Sequence, residues 1–138
     1  NRRPPYTSQP TLRVVLGPQD DYFTAEGLAT FLNSTYRLTG DADRMGARLQ
    51  GPPVARRGPT GIVSDGVVWG SIQVPPDGQP IVMLADHQTT GGYPKIATVI
   101  RADLPLLAQL VPGDRVRFAA VSLTEAQMSS LNLPVTGL

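Results

Sequence analysis

The sequence predicts a mainly β protein whose short strands close into a barrel, with two or three short helices. About seven short runs of alternating or β-branched apolar residues are separated by turn sequences. Fourteen glycines and fourteen prolines also interrupt the 138-residue chain too often for long helices. Short strands separated by turns favour a closed barrel over a doubly wound sheet, in which strands alternate with longer helices.

The first part of the domain is predicted to contain two strands with a helix between them. The β-branched run at 11–17 ends at a glycine–proline pair and predicts a strand. Thr24 can cap a helix over 25–33, where apolar residues recur three and four positions apart. The segment 34–40 predicts a second strand that ends at a glycine.

Three further strands are predicted in the middle of the chain. The segments 66–74 and 80–85 predict two strands joined by "PPDGQ", which has the residues of a tight turn. Residues 95–100 predict the next strand. Within the first of the three, Trp69 is expected to pack in the core, and Gln73 is expected to be buried with a hydrogen-bond partner.

The last part of the chain is predicted to hold a helix, a strand and a second helix. Asp103 is expected to cap the helix "LPLLAQL", whose proline lies in the first turn. A "PGD" turn then leads into a strand over 115–121. Ser122 and Glu125 have the spacing of a capping box, which predicts a short helix toward Leu131.

Composition excludes several classes of function. The chain has no cysteine and one histidine, which rules out disulfides, a catalytic cysteine, and thiolate-rich or histidine-rich zinc sites. The net charge is +1 and the chain has no basic block, so we expect no nucleic-acid partner. It has no long apolar run, so we expect no membrane partner and a cytoplasmic location. The pair in "ARRG" (55–58) is expected in an exposed loop. Residues 1–10 resemble a linker from a longer polypeptide, and 11–138 form one domain.

Small and polar residues follow the strand at 80–85 more densely than a hairpin turn requires. They are Asp86, His87, Gln88, Thr89, Thr90, Gly91, Gly92, Tyr93 and Lys95. A half-buried aspartate would need partners, which threonine hydroxyls and glycine N–H groups can supply. The glycines either adopt positive φ in a turn or let backbone N–H groups approach a ligand, and the residues alone leave both interpretations open. The histidine is expected to be a surface residue.

Two arginines form a second polar candidate. Arg44 and Arg48 are four residues apart, so they share one side of either a helix or an extended chain. Guanidinium groups bind carboxylate or phosphate through two parallel hydrogen bonds. The alternative, which the residues alone favour, is that these arginines pair with Asp41 and Asp43 on a solvated surface.

Three stretches, in this order, resemble one known family. They are "LRVVLGPQDDYF", "DRMGARL" and "SDGVVWGSIQVPPDGQPIVMLADHQTTGGYPKIATVI". The family is that of the biotin-dependent carboxyltransferases, which includes KipA, allophanate hydrolase subunit 2-type proteins, the C subunit of 5-oxoprolinase and the carboxyltransferase domain of urea carboxylase. The resemblance covers residues 12 to about 121 and corresponds to the C-terminal half of the family's proteins. It implies a cyclophilin-like β-barrel, a site shared with a second such domain, and no activity of this chain alone.

The resemblance also implies roles for the polar residues. Asp86 and Lys95 are the implied catalytic residues, with Asp86 accepting a hydrogen bond from the N–H of a urea-like or lactam substrate. Backbone N–H groups at the two glycines would stabilise negative charge on the ureido oxygen of biotin. The implied substrate- or biotin-binding residues are Arg44, Arg48, Gln73, Gln88, Thr89, Thr90, Gly91, Gly92 and Tyr93.

Two enzyme activities and one regulatory role are compatible with the resemblance. The first activity is ATP-dependent hydrolysis of 5-oxoproline, with ATP used at the level of the complex, and the second is carboxyl transfer from biotin that is not covalently bound to this chain. The implied partners are the family's N-terminal half, KipI or a protein like the 5-oxoprolinase B subunit, and an A subunit of the LamB/YcsF type. The alternative is a regulatory module that sequesters a KipI-like kinase inhibitor. A peptidyl-prolyl isomerase is suggested by the fold alone, without an isomerase motif.

Overall fold

In a computed structural model of the protein, nine strands and three α-helices are formed by the part of the chain that the structure describes. That part comprises residues 9–17, 19–40, 46–57, 65–67, 69–84, 89–91 and 93–136. The strands are β1 (Thr11–Leu16), β2 (Tyr36–Leu38), β3 (Gly46–Gln50), β4 (Asp65–Val67), β5 (Ser71–Gln73), β6 (Ile81–Met83), β7 (Thr89–Gly91), β8 (Lys95–Val99) and β9 (Arg115–Ala120). The helices are α1 (Ala25–Asn33), α2 (Leu104–Ala108) and α3 (Leu123–Thr136), with 3-10 turns at Asp20–Tyr22 and Arg101–Asp103.

Seven strands close into a barrel. Their order around the barrel is β1-β8-β5-β6-β3-β2-β9, and β9 returns to β1. The β1–β9 pair is parallel, and the other neighbouring pairs are antiparallel. The strands β4 and β7 pair with each other in a separate two-stranded ribbon. The closed barrel predicted from the sequence is therefore confirmed.

The core is centred on aromatic side chains that join α1 to the barrel wall. Val116 and Phe118 are buried on β9, while the residues between and before them are exposed, as expected for a strand with one face inward. Phe31 of α1 stacks on Phe118 with ring centroids 4.6 Å apart. Tyr36 of β2 packs against the same ring at 6.2 Å. The burial of these three rings holds the helix against the strands.

The loop after β3 lies close to α1. Thr24 caps the helix as predicted, because its hydroxyl accepts a hydrogen bond from the N–H of Gly27 at 2.9 Å. A Cβ atom on Gly27 would collide with the carbonyl oxygen of Ala55, so only glycine fits there. Arg56 donates a hydrogen bond to the carbonyl of Val74 at 3.0 Å. Arg56 and Arg57 thus lie in a loop, as predicted, and Arg56 anchors that loop to the barrel.

The prediction of a single strand over 66–74 is wrong. The structure places 65–67 in the ribbon and 71–73 in the barrel, with Gly70 between them at φ +89°. A Cβ atom on Gly70 would lie 3.1 Å from the side chain of Leu104, so this turn is confined by α2. Trp69 therefore packs against the core from a turn rather than from a strand.

Asp103 is the N-cap residue of α2, as predicted, but its side chain makes no capping hydrogen bond. Its carboxylate instead accepts three hydrogen bonds from Arg13: from the backbone N–H at 2.7 Å, from Nη2 at 2.7 Å and from Nε at 3.1 Å. Charge-assisted bonds to a guanidinium are stronger than a neutral capping bond, which explains the outcome. Asp103 therefore joins β1 to the turn that follows β8.

The last helix begins as predicted and is longer than expected. The backbone N–H of Ser122 donates to Glu125 Oε1, and the N–H of Glu125 donates to Ser122 Oγ, both at 3.0 Å, so the capping box is confirmed. The helix α3 continues to Thr136. Among the described helices, none combines the length and apolar character needed to cross a membrane.

Candidate functional site

Three of the predicted site residues lie in one row across four neighbouring strands of the barrel. Arg48 on β3 is paired with Ile81 on β6. Ile81 is paired in turn with Gln73 on β5, and Gln73 is paired with Lys95 on β8. Because adjacent strands lie about 4.8 Å apart, the row from Arg48 to Lys95 spans roughly 14 Å. We call Arg48, Gln73 and Lys95 the polar row.

A bulge fixes the Lys95 end of the polar row. Ile72 pairs with Ala97 whereas Gln73 pairs with Lys95, so Ile96 is the extra residue on β8. Lys95 is the single lysine of the chain and is only 6% exposed. The side chain of Gln19 accepts a hydrogen bond from the Lys95 N–H at 2.8 Å, and the Gln19 N–H donates to the Lys95 carbonyl at 3.1 Å. The backbone at this lysine is therefore held on both sides.

Gln73, in the middle of the polar row, is a buried amide with a weak partner. It is 6% exposed, and its Nε2 donates to Sδ of Met83 at 3.4 Å. Among the described residues, no donor reaches its Oε1. A thioether is a weak acceptor, and a buried amide without good partners costs about 1–3 kcal/mol. The predicted burial of Gln73 is confirmed, and its hydrogen-bond partner is weaker than expected.

An open groove of about 300 Å³ adjoins the Arg48 end of the polar row. It is lined by Thr39, Arg48, Leu49, Gln50, Pro75, Asp77, Gln79, Pro80 and Ile81. The predicted turn after β5 forms one side of the groove, with Gly78 at φ +79° and the Gln79 N–H donating to Asp77 Oδ1 at 3.0 Å. The groove is the size of a small-molecule site, and its lining includes one guanidinium (Arg48), one carboxylate (Asp77) and two amides (Gln50 and Gln79).

For Arg48, one of the two arginines proposed as an anion clamp, the structure shows an extended backbone. The segment from Gly46 to Gln50 is a strand, which the sequence did not predict, and the exposed Arg48 alternates with the buried Ala47 and Leu49. Five other candidates, Arg44, Asp86, His87, Gln88 and Gly92, lie outside the described residues. Their predicted roles stay predictions.

The segment predicted as a ligand-facing loop contains a strand. Thr89–Gly91 forms β7, whose residues pair with Asp65–Val67 of β4. A short stretch of threonines and a glycine fits a strand that pairs only once, because threonine is β-branched. Tyr93 follows and is 40% exposed, as a residue available to a ligand or a partner would be.

Sequence reasoning did not identify two glutamines that shape this region. Gln19 holds the Lys95 backbone from 76 positions away. The amide of Gln79 accepts from the Gly51 N–H at 2.9 Å and donates to the Gly51 carbonyl at 3.1 Å, 28 positions away. Neither pairing follows a local spacing rule, so no signal in the sequence could have identified them.

Two groups with shifted pKa values lie outside the polar row. Burial raises the pKa of the Tyr36 phenol to about 12, and this hydroxyl donates to the carbonyl of Pro52 at 2.8 Å. The hydrogen bond to Asp103 raises the pKa of Arg13 above its ordinary value. Both groups stabilise the barrel rather than the site. Within the described ranges, no three His, Asp or Glu side chains are grouped so that they could hold a metal ion.

Comparison with known proteins identifies the family. A family model described as "Carboxyltransferase domain, subdomain A and B" matches residues 1–120. The chain is 46% identical over 111 residues to the 5-oxoprolinase C subunit of Haemophilus influenzae and 42% identical over 115 residues to that of Escherichia coli. The crystal structure of Kluyveromyces lactis urea carboxylase is similar at a TM-score of 0.80 and 25% identity.

The chain belongs to this carboxyltransferase-domain family, and the resemblance found in the sequence is confirmed. The matches cover 79% and 83% of this chain but 36% and 37% of the two bacterial proteins. The structural match covers 92% of this chain and 12% of the Kluyveromyces protein. The chain therefore spans about a third of the length of the bacterial relatives it matches.

Proposed function

We propose that this domain supplies one wall of a composite site for a small cyclic or urea-like amide. In the first candidate function, the domain is part of a 5-oxoprolinase-type complex that opens 5-oxoproline at the expense of ATP. The 42–46% identity to 5-oxoprolinase C subunits supports this candidate. The observation that carries the proposal is the buried, weakly partnered amide of Gln73 in the polar row.

Gln73 has the chemistry that such a substrate requires. A lactam presents its N–H and its C=O on the same edge, and a carboxamide presents one acceptor and one donor side by side. The two edges can therefore form two parallel hydrogen bonds. The contact with Met83 is a weak bond at 3.4 Å and is easily exchanged for a carbonyl acceptor. Gln73 would thus recognise the amide group that is to react.

Arg48 is proposed to bind the carboxylate that 5-oxoproline carries. It lies two strands away from Gln73 in the row, a distance of roughly 10 Å between backbones. It also lines the groove with an exposed guanidinium. An extended arginine side chain can shorten that distance by several ångströms, and its fork matches a carboxylate. Arg44 is proposed as the second member of this clamp.

The catalytic roles are proposed for Asp86 and Lys95. Asp86 would accept the hydrogen bond from the reacting N–H and orient it. Lys95, with its backbone held by Gln19, would stabilise the negative charge that develops on the substrate carbonyl oxygen. Backbone N–H groups near Gly91 and Gly92 would assist in that stabilisation. The remaining proposed contacts come from Gln88, Thr89, Thr90 and Tyr93.

A second candidate function is carboxyl transfer to urea, supported by the structural likeness to a urea carboxylase. The polar row also fits the ureido ring of biotin. Like a lactam, that ring presents an N–H and a C=O side by side, so it can form two parallel hydrogen bonds with the Gln73 amide. Gln73 and Lys95 would hold it, and carboxylated biotin would supply the carboxyl group that is transferred to urea. ATP, which the 5-oxoprolinase candidate requires, is proposed to act at the level of the complex.

The proposed partners are suggested by the likeness to C subunits of 5-oxoprolinase. The family's N-terminal half would supply the facing wall of the site, and proteins resembling the A and B subunits of 5-oxoprolinase would complete the complex. This chain alone is then expected to show no turnover. The cytoplasmic location expected from the sequence stays a prediction.

The test is activity of the assembled complex on 5-oxoproline with ATP, compared with urea and carboxylated biotin. Asp86→Asn is expected to lower turnover on the true substrate about tenfold to a hundredfold, since one charged hydrogen bond is worth roughly 1.5–3 kcal/mol. Arg48→Lys keeps the charge but loses the fork, so substrate affinity should fall. His87→Ala should change turnover much less and is the control.

Several outcomes would contradict the proposal. Unchanged substrate affinity after Arg48→Lys would rule out the proposed anion clamp. Robust ring opening by the isolated chain would rule out a site that needs a second domain. A complex that turns over neither substrate but binds a KipI-like protein would favour the regulatory alternative.

A further inference from the structure

The outer wall of the barrel carries four arginines on three adjacent strands that have no acidic residue. They are Arg115 and Arg117 on β9, Arg37 on β2 and Arg48 on β3. Each is exposed and is next to buried residues along its strand, so all four side chains lie on the outer surface. We call these four residues the arginine face.

The strand register brings these charges close together. Arg37 lies directly opposite Arg115 in the β2–β9 pair. Arg117 is diagonal to Arg37, two residues further along β9, and Arg48 is diagonal to Arg37 on the other side, since Arg37 pairs with Gln50. Diagonal neighbours are roughly 7–8 Å apart, and like charges directly opposite each other destabilise a sheet. The clustering therefore costs stability and calls for another explanation.

Two of these arginines are ordered by neutral groups. Arg37 Nη2 donates to Gln50 Oε1 at 2.9 Å. Arg117 donates from Nη1 to Thr35 Oγ1 at 3.0 Å and from Nη2 to the carbonyl of Asn33 at 3.3 Å. These bonds hold the guanidinium groups in place without neutralising them. Ordering the side chains before binding lowers the entropy cost of an ionic contact.

Arg13 shows the opposite arrangement elsewhere on the barrel. It forms an ion pair with the buried carboxylate of Asp103 at 2.7 Å. On the arginine face, by contrast, no described carboxylate lies within ion-pair distance of an arginine. Asp41 and Asp43, which lie between β2 and β3 in the chain, are outside the described residues, so the inference rests chiefly on Arg37, Arg115 and Arg117.

We propose that the arginine face docks an acidic surface of a partner protein. Nucleic acid is the less suitable occupant, because the three strands expose no aromatic side chain for stacking on bases and the chain has a pI of about 8.4 and a net charge of only +1. This inference goes beyond the proposed function and shares only Arg48 with the polar row; Arg37, Arg115 and Arg117, on which it rests, have no part in the proposed site.

The test uses labelled poly-L-glutamate as the acidic probe and measures its binding by fluorescence anisotropy. The Arg37→Gln/Arg115→Gln double variant should raise the dissociation constant at least about tenfold, and added salt should weaken binding of the parent protein. The matched control is Arg57→Gln/Arg101→Gln, which removes the same charge from exposed arginines elsewhere. It should change binding less than about twofold.

Chemical labelling then locates the contact. Phenylglyoxal modifies accessible guanidinium groups, and poly-L-glutamate should protect Arg37, Arg115 and Arg117 while leaving Arg101 reactive. Because all substitutions are at exposed positions, circular dichroism should show unchanged folding.

Three results would overturn the proposal. The first is equal loss of binding in the face variant and the control variant, or no binding of the probe at all. The second is tighter binding of single-stranded DNA of matched charge. The third is a salt-sensitive self-association that Asp20→Asn/Asp21→Asn/Glu26→Gln abolishes, which would make a second copy of this chain the occupant.

Discussion

Replacing Gln73 by methionine should stabilise the isolated domain and impair the complex. The side chain is 6% exposed, and its amide has one described bond, to a thioether at 3.4 Å. Methionine has a similar length and no amide to desolvate. Removing a poorly partnered amide should recover part of its burial cost, about 1–2 kcal/mol. For a domain of this size, the melting temperature should rise by roughly 3–6 °C.

Gln79→Met is the matched control for that experiment. Its amide makes two good hydrogen bonds to the backbone of Gly51, at 2.9 and 3.1 Å. The same substitution there leaves the N–H and C=O of Gly51 without these partners, so it should lower the free energy of unfolding by about 1–2 kcal/mol. Urea unfolding of both variants and the parent measures the change in the free energy of unfolding. We expect an increase for Gln73→Met and a decrease for Gln79→Met.

The second measurement is turnover of the assembled complex. If the Gln73 amide recognises the reacting lactam or ureido group, its loss should reduce kcat/KM about tenfold to a hundredfold, as two hydrogen bonds worth roughly 1–3 kcal/mol in total disappear. A stabilised domain with impaired catalysis is the expected combination for a functional polar group in a core. A destabilised Gln73→Met domain, or a stabilised one with full activity, would refute the reasoning.

Three further predictions concern the barrel. Burial raises the pKa of Tyr36 to about 12. The stability of the domain should therefore fall by roughly 1–3 kcal/mol as the pH rises from 10 to 12, because the unfolded chain loses the phenol proton first. Urea melts of Tyr36→Phe should lack this part of the alkaline decrease. Gly27→Ala places a methyl group against the Ala55 carbonyl and should cost about 1–3 kcal/mol in urea melts, whereas Gly40→Ala, with open space around it, should cost much less. Asp103→Asn weakens three bonds from a half-exposed arginine and should lower the midpoint of urea unfolding by an amount equivalent to about 1–2 kcal/mol; an unchanged midpoint would contradict the role of this pair.

The parts of the fold that the sequence predicted well depend on local chemistry. The Thr24 cap, the capping box at Ser122 and the turn around Gly78 each involve residues within three positions of one another. Such contacts form in any context that allows the backbone conformation, so residue type and spacing are enough to identify them. The positions of five barrel strands, β1, β2, β6, β8 and β9, were predicted from such boundaries, whereas β3 was not predicted and β5 was predicted only as part of a longer strand.

The parts that the sequence did not predict depend on contacts between distant segments. Gly70 interrupts an apparently continuous strand with φ +89°, where a Cβ atom would lie 3.1 Å from the side chain of Leu104, more than thirty positions away. Asp103 has the residue type and position of a cap, but Arg13, 90 positions away, offers it a stronger bond. In both cases local preference and tertiary contact compete, and the tertiary contact prevails.

The polar row shows why a site of this kind is only partly visible in a sequence. The burial of Gln73 was expected from its position inside an apolar run, but the sequence does not show which group its amide binds. All three residues of β5 are buried, so both faces of this strand are covered. A polar residue on a covered strand costs free energy, and it is retained only if something compensates for that cost. Gln73 has no strong partner among the described residues, and its compensation is therefore best sought in a ligand.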